Sequence, residues 1–398
     1  MADQVKQQLQ RATKAVAEEA KPDYAPKPYN FKAPGRLGDP MLEPKDDPRV
    51  NSKLLEAVTP LGMHKFSATT ESFMKLNADS SLDEIAKPIV EFETGISAIY
   101  NGAVPLDIPS DKDEIKIEQT EQTIKGGDGQ DMKVYIYHPA NQGDGKLPSI
   151  VYLHGGGMVI NTTFNPVHDR WCRSMAANGA VVVMPDFRNA YTKEGYNHYP
   201  KGLNDCAAAV KWTSANRDSL KIRNIVIQGE SGGGNLSCAV ALKANREGWV
   251  GEIAGVFASV PYISNLWGST EERKLKEFPS MIENHGYFLN SHVNAFMGYF
   301  YTPNEEDAVD PLAWPYHATL EDMKGLPPHV VVMDELDPLR DEGINYHRRL
   351  VRAGVESKGS VNLGVFHGSA LLFRKALPEL HRGVARDVVA FTREVYEL

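Results

Sequence analysis

The chain has 398 residues, of which 42% are apolar, and it carries a formal net charge of −9. This length allows one large α/β domain with insertions or two ordinary domains. The acidic balance argues against nucleic acid or an anionic membrane as the main partner. The first residues lack the apolar segment of a secretory signal, and no run approaches eighteen apolar residues, so we expect neither secretion nor a membrane span.

The cysteines indicate the redox environment. Cys172, Cys206 and Cys238 are an odd number, and no pair has the spacing of metal ligands. The last two lie in apolar helical patterns, where a reduced cysteine usually acts as a small hydrophobic residue. A disulfide framework is therefore not expected, and the pattern favours a reducing compartment, the cytoplasm, with no metal site.

The N-terminal part of the chain is polar and rich in proline. Residues 1–20 predict an amphipathic helix that packs on the protein's own body, with a homodimer contact or a lid element as the alternatives. Residues 21–48 predict an extended arm. Helical patterns resume near 50–58 and 82–103. We expect residues 1–110 to form an N-terminal arm and cap helices, before a catalytic domain that runs to the end of the chain.

The catalytic domain, residues 111–398, begins with a hairpin pattern. Strand patterns at 115–120 and 132–137 flank the glycines of segment 126–129. A phosphate-binding loop is the alternative for these glycines, but no helical pattern follows them. We therefore predict a turn between two antiparallel strands at one edge of a sheet.

Apolar strand patterns then alternate with helical patterns. The strands are predicted at 148–153, 180–184, 224–228, 254–260, 329–333 and 360–366, and the helices near 166–178, 203–216, 232–246, 339–354 and 378–395. This alternation predicts an α/β fold whose mostly parallel sheet is covered by helices on both faces. Residues 262–320 interrupt it with many aromatic side chains, which indicates a lid over an apolar site; the alternative is that the aromatics close the core.

The segment Gly229–Gly233, with the sequence Gly-Glu-Ser-Gly-Gly, joins a predicted strand to a predicted helix. A Gly-x-Ser-x-Gly pattern in this context is typical of a nucleophile elbow, and its serine is Ser231. Glycine suits the sharp turn because a Cβ would clash with neighbouring strands. The alternative is a glycine-rich turn with an idle serine.

A serine nucleophile needs a base, and in elbow enzymes the chain order is serine, acid, histidine. Among the histidines after Ser231, His367 directly follows the last strand pattern, and active sites of α/β folds form at the carboxyl ends of strands. His329 lies inside a strand pattern, whereas His347 and His381 lie on helical patterns. We therefore predict His367 as the base.

The acid should follow the preceding strand. Asp334, Asp337 and Asp341 all lie in that region, and periodicity does not choose among them. Asp334 is placed at the strand's end, and Asp341 falls in the first turns of a helix, where acids favour the helix dipole anyway. Asp337 is on the loop and is the best placed of the three.

A second glycine motif follows a predicted strand at His154–Gly157. Glycines there let backbone amides approach a reacting carbonyl, so we predict an oxyanion hole formed by the amides of Gly156, Gly157 and Gly232. His154 precedes the elbow and the glycines, which favours a role as a structural anchor rather than as the base.

Together these motifs resemble the hormone-sensitive-lipase branch of the α/β-hydrolases. The matching segments are His154–Gly157, Gly229–Gly233, Asp337–Glu342 and His367-Gly368. The resemblance implies an α/β-hydrolase fold with a helical cap and a serine carboxylesterase that acts on small-molecule esters without a cofactor. It also implies that Ser231, Asp337 and His367 form the catalytic triad.

A smaller subgroup of that branch matches over more of the chain, from about residue 35 to the end. The additional segments are Gly35–Asp39, Val183–Ala190, Pro261–Ser264 and Ala313–Tyr316. This subgroup implies a macrolide lactone as one candidate substrate. The elbow departs from the Gly-Asp-Ser-Ala-Gly of the wider branch at Glu230 and Gly232, which makes the wider branch a poor guide to the substrate.

Two other functions remain open on the sequence. A lactonase or an acyltransferase would use the same triad, and a non-catalytic ligand-binding protein is a further alternative, although the binding proteins of this branch lose the histidine that stands here as His367. Met158, Tyr262, Trp314 and Leu371 flank the predicted catalytic loops and are candidates for an apolar substrate pocket.

Overall fold

The computed structural model describes residues 39, 41–67, 70–77, 79–103, 105, 117–139, 143 and 145–397. The predicted helix over 1–20 and most of the arm over 21–48 therefore lie outside the described residues.

Within the described residues the chain folds around an eight-stranded sheet. Its strands are β1 (Ile117–Lys125), β2 (Asp131–Pro139), β3 (Leu147–Leu153), β4 (Val181–Pro185), β7 (Ile222–Glu230), β8 (Gly255–Ser259), β9 (His329–Asp334) and β10 (Ser357–Asn362). Two short strands, β5 (Tyr191–Thr192) and β6 (Gly195–Tyr196), pair separately. The order across the large sheet is β1-β2-β4-β3-β7-β8-β9-β10.

Strand β2 pairs antiparallel with both β1 and β4, whereas every later neighbouring pair in the sheet is parallel. This confirms the prediction of a mostly parallel sheet with a hairpin at one edge. The parallel strands direct their carboxyl ends to the same side of the sheet. Loops that follow β3, β7, β9 and β10 are thereby brought together there.

The strands are apolar on both faces because helices cover both. In β4, Val181 and Val183 belong to one core cluster, while Val182 and Met184 belong to the other. Successive side chains of a strand point to opposite faces, so this alternation assigns one cluster to each face of the sheet. The continuous apolar sequence of β4 is the pattern expected of a central parallel strand.

The helices lie before, between and after these strands. They are α1 (Ser52–Val58), α2 (Glu71–Met74), α3 (Leu82–Ala98), α4 (Pro166–Ala177), α5 (Lys201–Ala215), α6 (Gly232–Glu247), α7 (Glu271–Glu277), α8 (Ser280–Glu283), α9 (Ser291–Tyr301), α10 (Leu320–Met323), α11 (Arg340–Arg352), α12 (Ser369–Leu372) and α13 (Pro378–Glu397). Helices α5, α6 and α11 contribute to one core cluster, and α4 and α13 to the other. None of the described helices combines the length and apolar character needed to cross a bilayer.

Two segments from distant parts of the chain meet above the carboxyl ends of the strands. Helix α3 begins with a capping box between Ser81 and Glu84 and packs against α9, which lies in the insertion after β8. Phe73, between α1 and α3 in the chain, joins them: its ring lies 6.4 Å from that of Phe92 and 6.2 Å from that of Phe296. Phe296, an aromatic residue of the insertion, is therefore used in packing between these helices.

The last strand ends earlier than the sequence predicted. We expected residues 360–366, but β10 runs over Ser357–Asn362. Its partner β9 ends at Asp334, which lies opposite Asn362, so no further partner residues are available. The next residues turn inward instead, and Val365 O accepts a hydrogen bond from Leu336 N–H at 3.0 Å. His367 consequently lies on a loop beyond the strand rather than directly at its end.

Candidate active site

Ser231 lies in the sharp turn between β7 and α6. Its backbone has φ 57° and ψ −118°, a combination that non-glycine residues rarely adopt and that persists only where the surroundings enforce it. Its N–H donates to Ser259 O at 3.0 Å, and its own carbonyl accepts from Tyr262 N–H at 3.1 Å. The turn is thus held by the last residue of β8 and by the segment that follows that strand.

The glycines of the elbow are required by close backbone contacts. A Cβ at Gly233 would lie 1.9 Å from Leu153 O, and one at Gly229 would lie 2.3 Å from Gly233 O. These distances are well inside van der Waals contact. The elbow can therefore pack directly on the end of β3, which carries the second glycine motif.

His367 pairs with Asp337 at the far side of the site. The 2.7 Å separation of His367 Nδ1 from Asp337 Oδ2 assigns the proton to Nδ1, which donates, and leaves Nε2 free to accept. The second carboxylate oxygen of Asp337 accepts from Leu339 N–H at 2.9 Å. Both side chains are buried.

The other two candidate acids make different contacts. Asp334 accepts hydrogen bonds from Asn362 Nδ2 at 2.9 Å and from Ser369 N–H at 3.3 Å. Asp341 accepts from Ser280 N–H at 2.6 Å and forms an ion pair with Arg340. Tertiary contacts thereby distinguish three aspartates that sequence periodicity left equivalent.

The acids around His367 determine its proton affinity. Burial by itself lowers the pKa of His367, but the charge and hydrogen bond of Asp337, with a smaller contribution from the charge of Asp334, raise the pKa above its ordinary value of 6.5. Burial in turn raises the pKa of Asp334 to about 7. The imidazole is therefore a stronger base than an isolated histidine.

Ser231 and His367 line one cavity. No hydrogen bond joins their side chains in the described structure, where His367 bonds to Asp337; catalytic hydrogen bonds often tighten only in the complex with substrate. The remaining wall is mostly apolar and includes Phe92, Ile96, Tyr100, Ile160, Phe288, Leu289, Met297, Leu339, Leu371 and Leu372. Among the described side chains, no cluster of three or more suits a metal ion. A cavity with this lining suits a small, largely apolar molecule.

The predicted oxyanion loop, residues 154–157, reaches the same cavity. Gly156 has φ 120° and Gly157 has φ 61°, conformations that glycine adopts without strain. A Cβ at Gly232 would lie 2.8 Å from Gly157 N, so the loop and the first residue of α6 are in contact. Because Gly232 is in the first turn of a helix, its amide has no partner within that helix.

His154, the first residue of this loop, does not line the cavity that Ser231 and His367 share. Its ring nitrogens contact Gly155 O at 2.7 Å and Thr163 Oγ1 at 3.0 Å. Burial lowers the pKa of His154 to about 4, so the ring stays neutral at physiological pH. These contacts support the anchoring role expected from the sequence.

The four predicted pocket residues divide into two pairs. Tyr262 and Leu371 line the cavity, whereas Met158 and Trp314 do not, which corrects the prediction for those two. Trp314 lies behind Tyr262 with the ring centroids 5.2 Å apart, and its Nε1–H donates to Thr302 Oγ1. The side chain of Met158 belongs to the hydrophobic core.

Several wall residues were not identified from the sequence. Phe92, Ile96 and Tyr100 come from α3 and the turn that follows it, and Asn294 and Met297 come from α9. Their spacing suits any buried helix face, so no local pattern marks them as cavity residues. Only the packing of α3 against α9 reveals their position.

Comparison with known proteins agrees with this geometry. Residues 150–371 match a family described as having the α/β hydrolase fold. The solved structure of brefeldin A esterase, described as a bacterial homologue of human hormone-sensitive lipase, is 44% identical, covers 92% of this chain and 99% of its own, and superposes with a TM-score of 0.87.

Two further relatives carry esterase names. The carboxylesterase NlhH of Mycobacterium tuberculosis is 31% identical over 294 residues, which span 71% of this chain and 84% of that protein. The structure of esterase Est22 is 33% identical, covers 88% of this chain and 99% of its own, and has a TM-score of 0.74.

Proposed function

Because this chain belongs to the hormone-sensitive-lipase-like branch of the α/β-hydrolases and is a carboxylic ester hydrolase, we propose that it acts through Ser231, His367 and Asp337. The observation that carries the proposal is the 2.7 Å hydrogen bond between His367 Nδ1 and Asp337 Oδ2, beside the cavity that Ser231 also lines. Nucleophile, base and orienting acid are the three groups that acyl transfer by serine requires.

In the acylation step, His367 Nε2 accepts the hydroxyl proton as Ser231 Oγ attacks the ester carbonyl. The imidazolium that forms is stabilised by the carboxylate of Asp337, which also holds the ring in the tautomer with the proton on Nδ1. His367 then gives its proton to the leaving alkoxide, and an alcohol departs. The acyl group remains attached to Ser231 Oγ.

Water completes the cycle. His367 accepts a proton from a water molecule as that water attacks the acyl-enzyme. His367 then returns the proton to Ser231 Oγ as the carboxylic acid leaves. In both steps the negative charge on the tetrahedral oxygen is stabilised by the amides of Gly156, Gly157 and Gly232. Removal of one such donor typically costs about 2.7–4 kcal/mol in the transition state.

We also propose how the chain divides into a cap and a catalytic domain. We assign the described residues before 110 and the insertion over 262–320 to a cap, and the rest of the chain from residue 111 to the catalytic domain. Support comes from α3 and α9, which pack together and supply much of the apolar wall. Such a cap excludes water from the reacting ester, which strengthens the electrostatic interactions in the site.

The substrate class is carboxylic esters, and the cavity favours an apolar acyl or alcohol group. A macrolide lactone is a candidate because one relative is named brefeldin A esterase. Lactone opening and acyl transfer to an alcohol use the same triad. Product analysis in the presence of a competing alcohol distinguishes transfer of the acyl group to water from transfer to an alcohol. Hydrolysis of an ester or a lactone yields the free acid, whereas acyl transfer yields a new ester.

The direct test is Ser231→Ala. Without the hydroxyl, no acyl-enzyme forms, so we expect hydrolysis of p-nitrophenyl butyrate to fall by about a millionfold while circular dichroism and Tm stay close to those of the wild type. Ser237→Ala is the matched control, since Ser237 is a buried serine on helix α6, directly after Ser231, that donates to Gly233 O and does not line the cavity. Wild-type turnover by Ser231→Ala would refute the mechanism.

A further inference from the structure

The residue before the nucleophile has a role that the reaction scheme does not use. We propose that Glu230 is a positioning residue that holds the oxyanion loop, residues 154–157, in register with Ser231. This inference rests on the proposed function, because it concerns the amides that the scheme assigns to the oxyanion. It also addresses the position at which the elbow departs from the wider branch.

Glu230 makes its contacts with the strand that carries the oxyanion loop and with the loop itself. One carboxyl oxygen, Oε1, accepts a hydrogen bond from Gly155 N–H at 2.7 Å and another from the Tyr152 hydroxyl at 3.1 Å. The side chain is buried. Since Glu230 is bonded directly to Ser231, a single side chain connects the nucleophile at the end of β7 to the loop at the end of β3.

The loop needs such a connection because it contains three consecutive glycines. Glycine has more backbone freedom than any other residue, and this freedom must be removed if two amides are to point at one oxygen. Gly155 is restrained at both of its polar groups: its N–H by Glu230, and its carbonyl by Asn161 Nδ2 at 3.3 Å. The next two residues, Gly156 and Gly157, supply the proposed donors.

The loop and Glu230 are also in close contact. A Cβ at Gly155 would lie 3.0 Å from Glu230 Oε1 and 3.3 Å from Ser231 Cβ. Any displacement of the carboxyl group would therefore move the loop relative to the nucleophile. Because a misplacement of about 1 Å can cost a hundredfold in rate, the contact is expected to affect turnover.

The chemistry of the side chain suggests the variants to compare. Burial raises the pKa of Glu230 to about 8, so at pH 7 the group is mainly a neutral carboxylic acid. Glutamine has the same shape as this neutral form and keeps an acceptor oxygen. Methionine has a similar length but no strong acceptor. Aspartate keeps the carboxyl group but is one methylene too short to reach Gly155 in the same way.

The experiment measures kcat and KM for p-nitrophenyl butyrate at pH 7, together with the Ki of an alkyl trifluoromethyl ketone, which forms a tetrahedral oxyanion on a catalytic serine. For Glu230→Met we expect kcat to fall by about 10- to 100-fold with little change in KM, and Ki to rise by a similar factor. Glu230→Gln keeps the acceptor oxygen, so its kcat and Ki should lie close to the wild-type values. If Glu230→Met does not fold, Glu230→Asp provides a second test. We expect Glu230→Asp to show the same fall in kcat and the same rise in Ki.

The matched control is Glu342→Met. Glu342 is likewise a buried acid; it accepts from Ile263 N–H at 2.7 Å and from Ser264 N–H at 2.8 Å, outside the oxyanion loop. Its loss should lower Tm without the paired change in kcat and Ki. If Glu230→Met lowers Tm but leaves kcat and Ki at wild-type values, or if both methionine variants change kcat and Ki equally, the proposal is wrong.

A failure of the proposed catalytic mechanism would give a different set of results. If Ser231→Ala retains wild-type hydrolysis, the proposed function is overturned and the positioning role falls with it. If Ser231→Ala is inactive while Glu230→Met has wild-type kcat and Ki, the triad stands and only the role of Glu230 is refuted.

Discussion

The loops at the ends of the strands and the proposed cap surround the same cavity, but different interactions hold them in place. Around Ser231, backbone atoms meet at distances that only glycine permits, and Asp337 and His367 are fixed by hydrogen bonds. The cap wall consists instead of apolar side chains on α3 and α9, which pack against each other. Backbone geometry therefore determines the chemistry, whereas side-chain size determines the shape of the cavity.

This difference has a kinetic consequence. Changes in the strand-end loops should lower kcat, because they alter groups that act on the transition state. Changes in the cap should alter which esters are preferred, because they alter the space available to the substrate. The predictions below test whether the two regions can be separated in this way.

Among the variants that compare these two regions, the largest effect is expected for Asp337→Asn. The amide holds His367 in the wrong tautomer and cannot stabilise the imidazolium, so kcat should fall by about 10⁴-fold. Initial rates of p-nitrophenyl butyrate hydrolysis at saturating substrate would measure this loss in kcat. Asp341→Asn is the comparison, since Asp341 binds Ser280 N–H rather than the histidine. A larger loss in kcat for Asp341→Asn would show that the acid has been assigned wrongly.

The next largest effect is expected for a glycine-to-alanine substitution, which we compare at one position in each region. Gly233→Ala places a Cβ 1.9 Å from Leu153 O, and we expect a loss of about 3 kcal/mol in the free energy of unfolding. Gly95→Ala, at an exposed position on α3 with no atom within 4 Å of the added Cβ, should instead gain about 0.5–1 kcal/mol. Urea denaturation measures both, and equal effects would contradict the contrast between backbone packing and side-chain packing.

A smaller effect is expected from the cap residue Met297. Its Cε would lie 2.7 Å from a Cβ at Gly157, so it limits the space beside the oxyanion loop. Met297→Ala should shift the ratio of kcat/KM values toward bulkier esters by about tenfold. Met281→Ala removes a buried methionine of the same insertion that does not line the cavity, and it should lower Tm without altering that ratio. An unchanged preference in Met297→Ala would argue against the cap as the source of specificity.

The smallest effect concerns pH. His367 must be neutral to accept the serine proton, and its pKa is raised, so kcat/KM should rise with pH through a midpoint above 6.5. Asp334→Asn removes one of the charges that raise the pKa of His367 and should move the midpoint down. Profiles of kcat/KM between pH 5 and 9 would show this, and a wild-type midpoint below 6.5 would contradict the electrostatic argument.

Local features were accessible from the sequence because their causes are local. The apolar strand patterns predicted the parallel sheet, and the glycines around Ser231 indicated a turn from strand to helix. His367 could be selected because it follows the last strand pattern. Even here the boundary was four residues too long, since the end of β10 is set by the end of its partner β9 and not by the residues 363–366 themselves.

Features that depend on distant segments could not be obtained in this way. Spacing did not distinguish Asp337 from its two neighbours; the hydrogen bond from His367 does. Trp314 and Tyr262 were equivalent candidates until the structure placed one behind the other. Similarly, nothing in the pattern of α3 and the turn after it showed that Tyr100 reaches the cavity.

By itself the sequence determined the α/β class, the turn from strand to helix at Ser231 and the order of the proposed catalytic groups, because periodicity, glycine stereochemistry and chain order are properties of neighbouring residues. The tertiary structure alone decided which side chains line the cavity and that Glu230 contacts the oxyanion loop. It also supplied the hydrogen bond to His367 that sets Asp337, favoured in the sequence by its place on the loop, apart from Asp334 and Asp341. These depend on contacts between strands β3, β7 and β9 and between α3 and α9, whose members are separated along the chain by many residues.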